Sequence, residues 1–176
     1  MKPKLSIVIA AFGNQCDILL DALKNSINAV YPNIETLVIG KEIPSSDQEL
    51  IKYLLENYAW AKDSPGSLRN ILWNQGLKIA NSQWVLFLDA DMILLKNVDN
   101  YISWCEENKS DFVFTWRDDI PYWMNMGLLL INKNENTLSF FDNVVKSQIE
   151  NVKAGIGAGQ YTFQKQLLRS KKEIVT

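Results

Sequence analysis

Short apolar runs alternate along this chain with stretches of helical period. Leu5-Ser6-Ile7-Val8-Ile9 reads as an opening strand. Asn14 then offers an N-cap with Asp17 three residues on, and Leu19, Leu23, Ile27 and Val30 form a helical apolar stripe. Glu35–Ile39 reads as a second strand. Ser46-Asp47-Gln48-Glu49 has the form of a capping box, and Leu50, Leu54, Leu55 and Tyr58 continue the helix it opens. Ser64-Pro65-Gly66 breaks the chain before a helix over Leu68–Ala80. A strand at Trp84–Leu88, a helix near Val98–Asn108 and strands at Asp111–Trp116 and Met126–Ile131 follow. Leu138, Phe141, Val145, Ile149 and Val152 mark a long amphipathic helix, and the Gly-rich loop Ala154–Gly159 leads to a last helix around Tyr161–Ser170. This alternation predicts an α/β fold, with helices on both faces of a mostly parallel central sheet. There is no internal repeat, low-complexity tract or interdomain linker, so residues 1–176 are expected to form a single domain.

The run Trp84-Val85-Leu86-Phe87-Leu88 ends abruptly in Asp89-Ala90-Asp91. An apolar run without alternation suits a central strand covered on both faces. Open α/β sheets bind ligands beyond the carboxyl ends of such strands. Two carboxylates one residue apart repel each other, and a hard divalent cation, which prefers oxygen ligands, would relieve that cost. Asp89 and Asp91 are therefore the candidate metal ligands, with manganese or magnesium as the ion. The competing account is an Asp-rich turn after a strand, since Asp favours turns in any case.

Ahead of this strand, Asn74, Gly76 and Ala80 match the spacing of the N-x-G-x-x-x-A-x-G segment that leads into the F-L-D-A-D strand of family 2 glycosyltransferases; Ser82 stands where a Gly is usual. The N-terminal part resembles the same family. Leu5–Asn14 is similar to its opening strand and P-T-Y-N turn, with Ala10, Ala11 and Phe12 in place of Pro, Thr and Tyr. Ser26 and Tyr31-Pro32-Asn33-Ile34-Glu35 match the end of its first helix and the start of its second strand. The resemblance covers roughly the first hundred residues, in matching order and spacing, and fades past Asp119. It implies a GT-A fold, with 1–98 as the nucleotide-sugar-binding part and 99–176 as the acceptor-side part. It also implies that Ala10, Phe12, Asp89, Ala90 and Asp91 meet the donor, although Phe12 could equally be core. In such a reaction negative charge develops on the departing diphosphate, which a bridging metal stabilises as a Lewis acid.

Further candidates come from the residues themselves. Arg69, near the start of the helix before the metal strand, could pair bidentately with a phosphate or be a solvated surface Arg. Asn70 and Asn74 lie one turn apart and could address ribose or sugar hydroxyls. Trp116, Tyr122 and Trp123 flank Arg117-Asp118-Asp119 and could stack on an acceptor sugar or serve as core material.

The chain departs from the family at two places. The family's second strand ends in D-D-G-S, whereas Ile39 is followed by Gly40-Lys41-Glu42, so base recognition must differ, with Glu42 or Asp63 as substitutes. The family's catalytic E-D pair is replaced by Gly159-Gln160, and an amide cannot take a proton. Asn125-Met126-Gly127 and Gly159-Gln160-Tyr161 look instead like the N-x-G and D-Q elements of other GT-A transferases, several of them retaining. Gln160 would then orient the sugar, and any catalytic base would be Asp118 or Asp119.

Composition narrows the field. With 18 basic and 20 acidic residues mixed along the chain, no basic stripe suggests nucleic acid as a partner. No run nears membrane-spanning length and no signal peptide is evident. Cys16 and Cys105 are far apart without metal spacing, which suggests reduced thiols in a cytoplasmic protein. Histidine is absent, which removes His bases and most zinc sites. The expected function is transfer of a sugar from a nucleotide-diphosphate donor, UDP-linked, to a carbohydrate or glycoconjugate acceptor. The alternatives are a noncatalytic nucleotide-sugar-binding domain and a nucleotidyltransferase. The latter needs a Gly-rich basic loop after the first strand, which Ala10–Asn14 does not offer. At 176 residues the chain is short for the GT-A fold, either a minimal version or one lacking an acceptor lid.

Overall fold

The apolar runs form a five-stranded sheet: β1 (Leu5–Ala10), β2 (Glu35–Ile39), β3 (Trp84–Leu88), β4 (Phe112–Trp116) and β5 (Met124–Asn132). The computed structural model describes residues 4–11, 17–63, 68–116, 124–156 and 159–170. The strands hydrogen-bond in the order β2-β1-β3-β5-β4. β1 is parallel to β2 and β3, whereas β5 is antiparallel to β3 and β4. Four strands thus share one direction and β5 runs against them, which makes the sheet mixed.

Seven helices among the described residues complete the fold: α1 (Asp17–Val30), α2 (Gln48–Asn57), α3 (Ala59–Asp63), α4 (Arg69–Ile79), α5 (Asp99–Asn108), α6 (Glu135–Lys153) and α7 (Gln160–Arg169). They cover both faces of the sheet. Val85 and Phe87 of β3 pack with α2, α4, α6 and α7 on one face, and Trp84, Leu86 and Leu88 pack with α1 and α5 on the other. Successive side chains of a strand point to opposite faces, so two covered faces require an unbroken apolar run. That is why β3 shows no alternation.

Close approach of α4 to the sheet depends on Gly76. A Cβ there would lie 2.3 Å from a methyl carbon of Val8 on β1 and 3.2 Å from Ile39 on β2. The expected capping box at 46–49 does not form. The Ser46 N–H donates to Gln75 Oε1 at 3.0 Å, and α2 starts after Asp47 with no side-chain cap. A capping box opens α6 instead, with Asn134 Oδ1 accepting from the Thr137 N–H and Thr137 Oγ1 from the Asn134 N–H, both at 3.0 Å. The expected Asn14 cap of α1 lies outside the described residues.

Cys105 is a buried free thiol whose pKa burial pushes up to about 11, against a lowering hydrogen bond with Ser110. Among the described residues no helix is long and apolar enough to cross a membrane.

Candidate functional site

The strand order reverses between β1 and β3, and Asp89 follows directly on β3 at that switch point. This is where an open α/β sheet leaves a crevice for ligands. The Asp89 backbone N–H donates to the Gly127 carbonyl at 3.1 Å, which ties the end of β3 to β5. There β5 departs from regular pairing. Phe114 faces Leu129 but Thr115 faces Asn125, so Met126, Gly127 and Leu128 are left out of the β4 ladder. Irregularities of this kind re-aim side chains beside functional sites. Asn125 Oδ1 accepts the Gly127 N–H at 2.9 Å. A Cβ on Gly127 would sit 3.3 Å from Asn125 Oδ1, 3.6 Å from Asp89 Oδ2 and 3.6 Å from Met92 Sδ. The glycine therefore keeps open a small cradle rimmed by two side-chain oxygens.

Arg69, the first residue of α4, aims its guanidinium at Asp89. Its Nη1 lies 2.6 Å from Oδ1 and 2.7 Å from Oδ2, and the pair is largely shielded, at 19% and 27% side-chain exposure. Trp73, one helical turn on, places its ring 4.6 Å from the guanidinium carbon. Arg69 Nε is buried with no acceptor. Asp91 is exposed and, among the described residues, has no ion-pair partner. Arg69 is thus not a solvated surface residue: it is the counter-ion of Asp89.

The segment after Asp91 has no regular structure, and one α1 side chain and the residue after α1 pin it. Ser26 Oγ accepts the Leu94 N–H at 2.9 Å and donates to the Leu23 carbonyl at 2.7 Å. Tyr31 Oη accepts the Val98 N–H at 2.6 Å and donates to Asp99 at 3.1 Å. Burial pushes the Tyr31 phenol up to about 12; the Val98 N–H opposes this shift and Asp99 adds to it.

Asn70 and Asn74 do share a face of α4, but that face is packed. Both are buried. Asn70 Nδ2 donates to the Gly159 carbonyl at 3.1 Å, and Asn74 Nδ2 donates to Asp142 at 2.9 Å. Their Nδ2 donors therefore brace α4 against the start of α7 and against α6. The Asp142 carboxyl is held below its usual range by the Lys78 hydrogen bond, which with Asn74 outweighs desolvation. Gln160 opens α7 beside Gly159, whose φ of 72° favours glycine.

At the mouth of β1, the Ala11 N–H donates to the Ile39 carbonyl at 2.9 Å. Gly40 has φ +91°, and a Cβ there would lie 2.5 Å from the Ala11 carbonyl oxygen. The tight turn that replaces the family's D-D-G-S is thus packed against the end of β1, next to Ala10. Glu42, a candidate base contact, is ion-paired with Lys24. Phe12, Asp118, Asp119, Tyr122 and Trp123, with the Trp116 and Asp63 side chains, lie outside the described residues.

The structure therefore brings Arg69 onto Asp89 and adds Trp73, Asn125 and Gly127, while Ala90 and Asp91 follow Asp89 in the chain. Sequence carried signals for these additions: Trp73 stands at the i+4 position from Arg69, and Asn125 and Gly127 interrupt an apolar strand. Carboxylate and amide oxygens suit a hard divalent cation, and the Gly127 cradle leaves room beside Asp89. Among the described residues no group of three or more His, Cys, Asp or Glu could hold a metal, so water and substrate oxygens would have to complete any shell.

No protein-family model matches the sequence, and no curated protein does. Solved structures share the fold. The glycosyltransferase GlyE of Streptococcus pneumoniae TIGR4 aligns with TM-score 0.62 at 13% identity, over 98% of this chain and 46% of GlyE. A glycosyltransferase involved in glycosylation of the major capsid of PBCV-1 aligns at 0.57 and 12%, over 94% and 77%. The galactosyltransferase LgtC, solved with donor and acceptor sugar analogs, aligns at 0.55 and 17%, over 92% and 70%. The chain spans about half the length of GlyE. These likenesses establish a GT-A fold for the chain.

Proposed function

We propose that this GT-A-fold chain is a glycosyltransferase that moves a sugar from a nucleotide-diphosphate donor, UDP-linked, to a carbohydrate or glycoconjugate acceptor. One observation carries the reading: at the switch point of the sheet, the central strand ends in a carboxylate held by an arginine, with a second, exposed carboxylate two residues on that has no ion-pair partner among the described residues. A fold alone does not assign function, but a site of this charge pattern at this place does argue for one.

In this reading Arg69 binds the diphosphate, whose oxygens match a guanidinium. Asp89 and Asp91 would hold manganese or magnesium, with Asn125 Oδ1 across the Gly127 cradle from Asp89. The ion, when bound, supplies Lewis-acid stabilisation of the charge that develops on the leaving diphosphate. Gln160, whose helix is anchored through Asn70 and Gly159, orients the donor sugar. It has no titratable group and so removes no proton. Any base falls to Asp118 or Asp119, with Trp116, Tyr122 and Trp123 on the acceptor side. Two cysteines far apart in the chain, with Cys105 a buried free thiol, support work in a reducing compartment, the cytoplasm.

A thermal-shift screen of nucleotide sugars, with and without manganese, tests the reading. It predicts a rise in Tm for one class of UDP-sugar that depends on the metal, followed by sugar transfer or slow donor hydrolysis. Stabilisation without turnover would favour the noncatalytic binding domain, and no stabilisation by any nucleotide would overturn the proposal.

A further inference from the structure

We propose that Arg69 is a counter-ion switch: it holds Asp89 and keeps a divalent cation weakly bound, and it releases Asp89 only when a nucleoside diphosphate draws the guanidinium away. The proposal rests on the reading of Asp89 and Asp91 as a metal–diphosphate site.

Both Asp89 oxygens contact the same Arg69 nitrogen, at 2.6 and 2.7 Å. The carboxylate edge that a metal would use therefore already faces a cation. A divalent ion entering there would meet the guanidinium at short range, in a site shielded enough that water screens the repulsion poorly. Asp91 is exposed and carries no such partner among the described residues. The pair thus leaves one neutralised carboxylate and one exposed carboxylate with no partner among the described residues, and a lone exposed carboxylate is a poor metal site.

Arg69 is also incompletely satisfied where it stands. Its Nε is buried without an acceptor. The Trp73 face beneath it, 4.6 Å away, attracts the positive charge but offers no lone pair to a donor. A diphosphate offers several acceptor oxygens in a geometry that a guanidinium grips well. Transfer of Arg69 from carboxylate to phosphate satisfies more donors and frees Asp89 in the same motion. Metal and diphosphate then strengthen each other's binding, and by linkage each does so by the same factor. Arg69 on this account is a diphosphate-binding residue that also sets the order of binding.

The test is the affinity of the ligand-free protein for Mn2+, read from the electron paramagnetic resonance signal of the unbound ion. Arg69→Ala and Arg69→Met are compared with the wild type; the methionine keeps an apolar stem against Trp73, and circular dichroism checks that each variant is folded. Both variants should bind Mn2+ alone on the order of tenfold more tightly than the wild type. The factor by which UDP raises Mn2+ affinity should fall in step. The gain should vanish in an Asp89→Asn background, since it acts through that carboxylate. A gain that persists there would reduce the effect to a general loss of positive charge and overturn the switch. Unchanged or weaker Mn2+ binding in both variants, while the wild type binds Mn2+ with UDP, would overturn the switch and leave the metal–diphosphate site standing. Absence of Mn2+ binding in every protein, even with UDP, would overturn both.

Discussion

Asn70 donates its side-chain amide across 3.1 Å to the carbonyl of Gly159, which also accepts the Phe163 N–H at 3.0 Å. The bond is buried and joins the helix that carries Arg69 to the one that begins with Gln160. Replacing Asn70 by Ala removes the bond without orphaning the carbonyl, so the cost in stability should be about 1–2 kcal/mol. Asn70→Asp, which places an unpaired charge in the same spot, should cost more. Urea unfolding checks both, and a midpoint unchanged in Asn70→Ala would contradict the tie.

Ser26 and Tyr31 should control the segment that follows Asp91. The Leu94 and Val98 amides bond to those two hydroxyls rather than to backbone. In Ser26→Ala the Leu94 amide should exchange its hydrogen faster, and in Tyr31→Phe the Val98 amide should do so. Each loss should lower stability by about 1 kcal/mol. Amide exchange followed by NMR reads this residue by residue; unaltered protection at Leu94 and Val98 would show that the hydroxyls do not hold the segment.

Gly76 has no room for a side chain. Its would-be Cβ lies 2.3 Å from the Val8 side chain, and Val8 is fully buried. Gly76→Ala should therefore destabilise the fold by about 1–3 kcal/mol despite alanine's better helix propensity. Val8→Ala should recover part of that loss, since the two sites touch and their effects are not additive. Equal losses for Gly76→Ala with and without Val8→Ala would contradict the close approach.

Asp142 gives stability an acid limb. Lys78 and Asn74 hold its carboxyl below its ordinary value of 3.8 in the folded chain. The unfolded chain therefore binds a proton first as pH falls, and the contribution present above that value is lost as pH drops through the folded pKa. Glu35 acts in the same direction: burial raises its pKa, but hydrogen bonds from Ser6 and Asn81 outweigh burial and lower it. Unfolding midpoints measured across the acid range should decline less steeply in Asp142→Asn than in the wild type. Parallel declines would remove Asp142 from the acid limb.

Much of this arrangement was legible in the sequence, for physical reasons that differ by element. β3 read as a central strand because two covered faces leave no room for alternation. The Asp89-Ala90-Asp91 sequence then fell at the sheet's switch point because strand and turn are adjacent in the chain. The direction of β5 was not legible, since an antiparallel core strand carries the same apolar run as a parallel one. Nor could the sequence orient Asn70 and Asn74. Ile71, Leu72, Trp73 and Leu77 are buried alongside them, so α4 has no clear solvent face in this stretch from which to read a direction. The Arg69–Asp89 pair joins residues on two different elements, and no local pattern encodes it. The capping box at 46–49 failed because Gln75, distant in sequence, takes the Ser46 N–H that the box requires.

The most direct test is calorimetric titration of UDP into the protein, with and without Mn2+, for the wild type, Asp89→Asn and Asp91→Asn. The account predicts that Mn2+ tightens UDP binding in the wild type. It predicts that either substitution abolishes this metal-dependent gain while thermal unfolding stays cooperative. An undiminished gain in both folded variants would contradict it.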